Sequence, residues 1–409
     1  ALPICANVLG AAALAAAALL AAPAARSEEA AKPEGPRMEI YGFAQTDIGY
    51  DFMRVDPDWF DVLRVTKLPK YEDEFGKDGE TYFSVRQSRF GVKGWIPTGI
   101  GEVKTIFEWE LFGVGVDAGQ TTIRLRHAWG EVGHLGVGQT WSPFMDPDVF
   151  PNSLEYWGPT GMPLFRNVQL RWMPMQGDDE LFVALERPGA SADGGAYAGH
   201  VALEGVKARF PLPDLSAHYR KTGSWGHFQI AGIVREIKWD DVNADPYDLS
   251  GSATGWGLHA STNLKVAKDD LIRASVVYGE GIENYMNDAP IDIGVKNNFS
   301  DPKKPVKGEA IPLLGIVAFY EHAWSPKFNT AIGYSYFDMD NPDGEAANAF
   351  YSGHYALVNL LYTPVPAVMA GGELQWGQRK NFKDGFTSDD FRVQFSFKYK
   401  FSWMLGGKK

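Results

Sequence analysis

The sequence holds one cysteine, fewer basic than acidic residues, and beyond residue 25 no run of 18 apolar residues. Each shortage removes a class. Cys5 lies inside an apolar N-terminal stretch that export would remove, so the mature chain offers no disulfide, no thiolate metal centre and no cysteine nucleophile. A formal net charge of −12 gives no basic footprint for a phosphate backbone, which excludes nucleic acid as a partner. Without a long apolar run no helix after residue 25 crosses a bilayer, and any membrane-embedded part is built from strands. GxxxxGK[ST], HExxH, GxSxG and dinucleotide-binding fingerprints are absent, and the eight histidines are scattered, so no cofactor or metal is called for.

What is abundant is glycine, at 45 residues, and aromatic side chains, at 13% of 409 residues. They occur in a chain that is 45% apolar. Residues 8–25, VLGAAALAAAALLAAPAA, read as the core and small-residue cleavage site of a secretory signal. The expected organisation is a signal peptide over 1–25, a charged, proline-containing leader over 26–38, a strand-built body over 39–403 and a tail over 404–409.

The period of the body is two. In residues 391–403, FRVQFSFKYKFSW, the aromatic residues and Val393 share one parity, and Arg392, Gln394, Ser396, Lys398, Lys400 and Ser402 share the other. Residues 102–111 repeat the pattern. Such runs, about 9 to 15 residues long, exceed ordinary strands and suit a transmembrane barrel, which alternates apolar-out with polar-in. Seventeen candidate strands can be drawn. Short connections such as 97–101, 175–178 and 364–366 then alternate with long ones at 53–80, 142–164, 239–253, 281–310, 339–349 and 380–388, provided that 199–210 belongs to a loop. The expectation is an all-β, antiparallel up-and-down barrel of sixteen strands, embedded in outer-membrane lipid.

Parity also assigns faces. Ile123 and Leu125 turn Arg124 and Arg126 inward, and Val168, Leu170 and Trp172 do the same for Asn167, Gln169 and Arg171. Phe83 and Val85 oppose Phe90 and Val92 in parity, so a one-residue β-bulge near 86–89 is expected, turning both Arg86 and Arg89 inward. Arg235 and Arg273 face in, as do Ser216, His218 and Arg220. The candidate constriction is therefore Arg86, Arg89, Arg124, Arg126, Arg171 and Arg235, set against Trp141, Asp146, Asp148, Glu155 and Tyr156 of a long loop after the fifth strand. Glu108 and Glu110 are read as counter-ions. Two roles stand open for the charges: a transverse field that selects anions, or pairing that merely holds the loop. Trp141, Phe144, Tyr156, Trp157, Met162 and Phe165 either pack that loop on the wall or form an apolar slide for aromatic carboxylates. His127 reads as an interface residue. A rival class, a β-barrel hydrolase, rests on Ser216 and His218, and a soluble periplasmic binding protein is a third reading.

The segments YGFAQTDIGY (41–50), FSVRQSRFGVKG (83–94), RLRHAWGE (124–131), GQTWSPFMD (138–146) and GHFQIAG (226–232) resemble, in this order, the DcaP-like outer-membrane porins of Gram-negative bacteria. The resemblance implies a sixteen-stranded homotrimeric barrel, a loop folded inward to narrow the pore, and passive uptake of small hydrophilic anions such as dicarboxylates. Two features depart from it. Residues 26–38 are too short and proline-rich for the coiled-coil extension common in that family, and the chain continues past Trp403.

Overall fold

The computed structural model describes residues 35–198, 206–242, 244 and 246–407. The expected signal peptide, and all but the last four residues of the leader, lie outside the described residues. Eighteen hydrogen-bonded strands form one closed sheet. β1 is Arg37–Asp51. β2 (Glu80–Ser84) and β3 (Arg89–Thr98) share one wall position, because both pair with β1. β4 (Gly101–Phe112), β5 (Thr121–Val132), β6 (Leu135–Trp141), β7 (Arg166–Met175) and β8 (Asp179–Glu186) follow. β9 (Val206–Arg209) and β10 (Asp214–Gly223) share a second position, both paired to β11 (Gly226–Asp241). β12 (Gly251–Ala267) and β13 (Asp270–Glu280) precede a long connection carrying its own hairpin, β14 (Ile293–Asn297) with β15 (Val306–Ala310). β16 (Pro312–Ser325), β17 (Phe328–Met339), β18 (Phe350–Val365), β19 (Val368–Asn381) and β20 (Thr387–Gly406) complete a sixteen-stranded barrel. Fifteen residue pairs, from Arg37↔Gly406 to Asp51↔Arg392, close it.

The burial pattern is that of a soluble protein turned inside out. On β20, Phe395, Phe397, Tyr399 and Trp403 are exposed outward while Arg392, Gln394 and Ser396 are fully buried. An apolar outer face and a polar lumen are what hydrocarbon outside and water inside require. Among the described residues no helix is long and apolar enough to cross a membrane. The short turns and both described chain ends gather at one rim, and the long connections gather at the other.

The expected bulge is present. Four steps along β1, from Phe43 to Asp47, face five on its partner, from Arg89 back to Ser84. The extra residue puts Phe83 and Phe90 on the outside while burying Arg86. Two boundaries differ from the sequence reading. β20 runs to Gly406, three residues past Trp403, because each residue there still finds a partner on β1. Part of the 199–210 stretch, assigned above to a loop, forms β9, which extends the position of β10 upward along β11. The strand count is unaffected.

Three of the long connections pack together against buried side chains of the strands. Leu63 and Val65 from the first long connection, Phe144, Val149 and Met162 from the 142–165 connection, and Ile282 and Tyr285 from the one after β13 form a cluster with Val277, Val317 and Phe337 of the wall. Gly161 lies within this packing at φ +72°, and a Cβ there would come 2.4 Å from the Tyr336 carbonyl oxygen. Only glycine allows both that backbone and that approach.

Candidate functional site: an arginine-lined cavity in the barrel

β5 carries Arg124 and Arg126 inward, and β4 meets them with Glu108 and Glu110. Arg126 donates from Nε to Glu108 at 2.6 Å and from Nη1 to Glu110 at 2.6 Å. Arg124 donates from Nε to Glu110 at 2.8 Å. Arg89, at the start of β3, stands 3.4 Å from Glu110 and 3.6 Å from Glu108. Arg166, at the start of β7, stands 3.8 Å from Glu110. Tyr156, from the 142–165 connection, donates its hydroxyl to Glu110 and accepts from Arg124 and Arg126. Four guanidinium groups thus meet two carboxylates, both nearly sealed from solvent, leaving two positive charges uncompensated within the cluster.

These arginines line a cavity of about 770 Å³, together with Arg64, Lys398 and a set of aromatic rings. Trp141 lies between two of them, with the Arg166 guanidinium 4.7 Å and that of Arg126 5.4 Å from its ring. Arg64 is held between Trp59 at 4.1 Å and Trp157 at 4.3 Å, and is paired with Asp288 at 2.8 Å. Flat guanidinium groups against ring faces keep their edge donors directed at the cavity.

The 142–165 connection bonds to inward-facing side chains around the wall. The carbonyls of Pro143 and Phe144 accept from His218 and His259, and that of Met145 accepts from Gln229. Asp146 accepts from His227 Nε2 at 2.7 Å and Ser261 at 2.7 Å. Arg220 can only donate, so its contact with His227 Nδ1 at 3.1 Å fixes the tautomer that gives Asp146 a proton from Nε2. Further on, Asn152 meets Glu321 and Asn329, and the amides of Leu154 and Glu155 donate to Glu373.

Residues 25–401 match the family described as DcaP outer membrane protein. The chain belongs to the DcaP outer membrane protein family. No curated protein sequence matches it. The outer membrane channel DcaP of Acinetobacter baumannii has a similar structure, with a TM-score of 0.75 at 23% identity over 90% of this chain and 98% of that one. An anion-selective porin from Comamonas acidovorans (TM-score 0.57, 10% identity, 90% and 100% covered) and the trimer form of OmpT from Vibrio cholerae (0.53, 12%, 90% and 100%) share the fold. This DcaP-family protein is an outer-membrane porin of a Gram-negative bacterium.

Of the residues singled out by sequence, the structure brings Arg89, Arg124, Arg126, Trp141, Glu155 and Tyr156 to the cavity, with Glu108 and Glu110 behind them. The Glu155 carboxylate itself accepts from the amides of Leu63, Trp157 and Gly158, so it shapes the loop. Arg86, Arg171 and Arg235 lie elsewhere. Arg86 is sealed against Asp61 and the Gly113 carbonyl, with its guanidinium 3.9 Å from the Phe112 ring. Arg171 donates to Gln169 and the Trp141 carbonyl. Arg235 binds Asp214 and Asp292. Asp146 and Asp148 pin the loop to the wall, Asp148 through Arg220 and, by its carbonyl, Asn263 and Arg273. His127 hydrogen-bonds Thr140 beside the Trp141 ring. Ser216 donates to Glu186 and His218 meets the Pro143 carbonyl, so the two do not form a nucleophile–base pair. Sequence reasoning missed Arg64, Arg166 and Lys398. Arg166 shares the outward parity of Val168 and Leu170 but opens the strand, paired with Trp141, and both line the cavity. Lys398 carried a usable signal, since it has the parity of buried Gln394 and Ser396.

Burial pushes the Asp146 carboxyl up, but the bonds from His227 and Ser261 and the nearby Arg220 outweigh it and hold the group at about 2. A lowered carboxylate pKa contributes stability above the ordinary value of 3.8 and loses it as pH falls toward 2. The loop of this porin should therefore stay pinned at pH 4. In single-channel recordings the wild type is equally quiet at pH 4 and pH 7. Asp146→Ala leaves His227 Nε2 and the Ser261 hydroxyl without their acceptor, weakens the pin by roughly 1–3 kcal/mol and gives noisy openings at both pH values. A quiet Asp146→Ala channel would refute the pin.

Proposed function

We propose that this porin passes small hydrophilic anions, dicarboxylates among them, by passive diffusion through the arginine-lined cavity, with residues 142–164 folded into the lumen to narrow it. The observation that carries the reading is the imbalance of four arginines over two glutamates at one wall of the cavity. In a narrow, water-filled lumen with low-dielectric walls two uncompensated charges raise the local concentration of anions and lower that of cations. Guanidinium groups add a planar fork that fits a carboxylate. The net charge of −12 does not oppose this, because selectivity depends on the charges nearest the path. The fold shared with an anion-selective porin supports the same reading, and the fold shared with a trimeric porin supports a homotrimer.

Planar bilayers with a tenfold KCl gradient test it. The expected reversal potential has the sign of chloride permeation, and adding succinate or malonate reduces chloride current. A cation-selective potential or absent conductance would overturn the proposal. Cross-linking in detergent, with trimers expected as the largest discrete species, tests the assembly.

A further inference from the structure

The arginines of the cavity are not equivalent, and their hydrogen bonds divide them. Arg124 bonds Glu110 and Tyr156 through Nε and Nη2, and Arg126 bonds Glu108, Glu110 and Tyr156 through Nε and Nη1. Arg64 is neutralised by Asp288. Arg89 donates to Glu110 at 3.4 Å and lies 3.6 Å from Glu108, with its Nε sealed from solvent. Arg166 differs. Its nearest carboxylate oxygen is 3.8 Å away, too far for a hydrogen bond, and among the described residues its guanidinium donates to nothing. It nevertheless lines the cavity with its carbon plane fixed on Trp141, and none of its nitrogens is sealed from solvent. Lys398 also lines the cavity, set 4.5 Å over the Phe43 ring, and among the described residues its ammonium has neither an ion-pair nor a hydrogen-bond partner.

A cation saturated by protein acceptors contributes only its share of the field. A cation with free, positioned donors can hold a solute carboxylate directly at no cost in broken bonds. Resting on the anion-channel reading above, we infer that Arg166 and Lys398 are the two side chains that solute anions touch, and hence the residues that set solute specificity. Arg124, Arg126, Glu108, Glu110 and Tyr156 form the frame that holds the loop. The arginine ladder that parity displays most plainly is mainly scaffold, and the working contacts sit at its edges.

Ionic strength separates the two roles. At 0.1 M salt the screening length is about 10 Å and every charge in the cavity acts on a passing ion, whereas at 1 M it is about 3 Å and only contact charges do. Reversal potentials are measured at both strengths for wild type, Arg166→Gln, Lys398→Gln and Arg124→Gln, with Arg124→Lys as a charge-keeping frame variant. Heat-dependent gel mobility confirms that each barrel has folded. At low salt every neutralising variant lowers the anion-over-cation ratio by about three- to fivefold, the effect of one unit charge acting through water over a few ångströms. At 1 M the Arg166→Gln and Lys398→Gln shifts persist and malonate block weakens in both, while the Arg124→Gln shift falls toward wild type. Equal shifts of all neutralising variants at 1 M, or unchanged malonate block in Arg166→Gln, would overturn the assignment while leaving the anion channel intact. A cation-selective wild type would instead remove the underlying reading.

Discussion

Glu110→Ala destabilises the protein by about 3–5 kcal/mol, in the range found when one partner of a buried charge pair is deleted, and it frees the 142–165 connection. Glu110 is nearly inaccessible and lies within 4 Å of Arg89, Arg124, Arg126 and Arg166. Its loss leaves four guanidinium groups around an empty site with only Glu108 among them. Repulsion then falls on the weakest attachment, the Tyr156 hydroxyl, whose acceptor has gone and whose ring is stacked 4.2 Å from that of Phe112. Urea unfolding in lipid vesicles reports the loss as a lower midpoint, and bilayer recordings report the freed loop as a larger, noisier conductance. Glu110→Gln retains an acceptor and the packing while removing the charge, so it costs less than the alanine variant. If Glu110→Ala unfolds at the wild-type midpoint, the cluster is a surface-like arrangement screened by lumen water, and its pairs carry no more than exposed ion pairs do.

That prediction depends on distances the sequence does not contain, whereas the barrel itself was readable from it. Alternation over 391–403 follows from a physical rule that holds at every residue of a strand: one side faces hydrocarbon and the other water. The same rule placed Arg124 and Arg126 inward and required the bulge at 86–89, because Phe83 and Phe90 cannot both face lipid without an extra residue between them. Parity fixes a face and says nothing about height along the strand or about what a loop brings to meet it. Arg86, Arg171 and Arg235 all face in, yet each sits where a different part of the chain supplies its partners: Asp61, Gln169 with the Trp141 carbonyl, and Asp214 with Asp292. Arg166 was lost for the converse reason. At the strand end it pairs with Trp141, and both line the cavity although Val168 and Leu170, of the same parity, are exposed outward. Arg64 enters the cavity from the 52–79 connection, for which no period exists to read.

Arg235→Met has the second large effect, about 3–5 kcal/mol, and it acts at the mouth of the barrel. Arg235 is fully buried on β11 and donates to Asp214 at 2.9 Å, to Asp292 at 2.8 Å, and to the carbonyls of Gly281 and Gly189. One guanidinium thereby ties β10 and β11 to the connections that follow β8 and β13. Asp292 is meanwhile held by the amides of Ser191 and Asn284, so it cannot swing out to water when the cation is removed. The variant leaves two buried carboxylates and two carbonyls short of a donor at once, and desolvation makes each costly. Arg235→Lys keeps the charge but lacks the five-donor fork that reaches four acceptors, and it recovers only part of the loss. Limited proteolysis should show cleavage appearing in residues 187–198 and 281–292 of the methionine variant, the segments next to Gly189, Gly281 and Asp292, while β8, β10, β11 and β13 stay protected. Adding Asp214→Asn to Arg235→Met removes one of the stranded charges and should restore stability relative to the single variant. A double variant less stable than Arg235→Met alone would mean that Asp214 is held chiefly by the Tyr285 hydroxyl, 2.9 Å away, and that the arginine is not the tie.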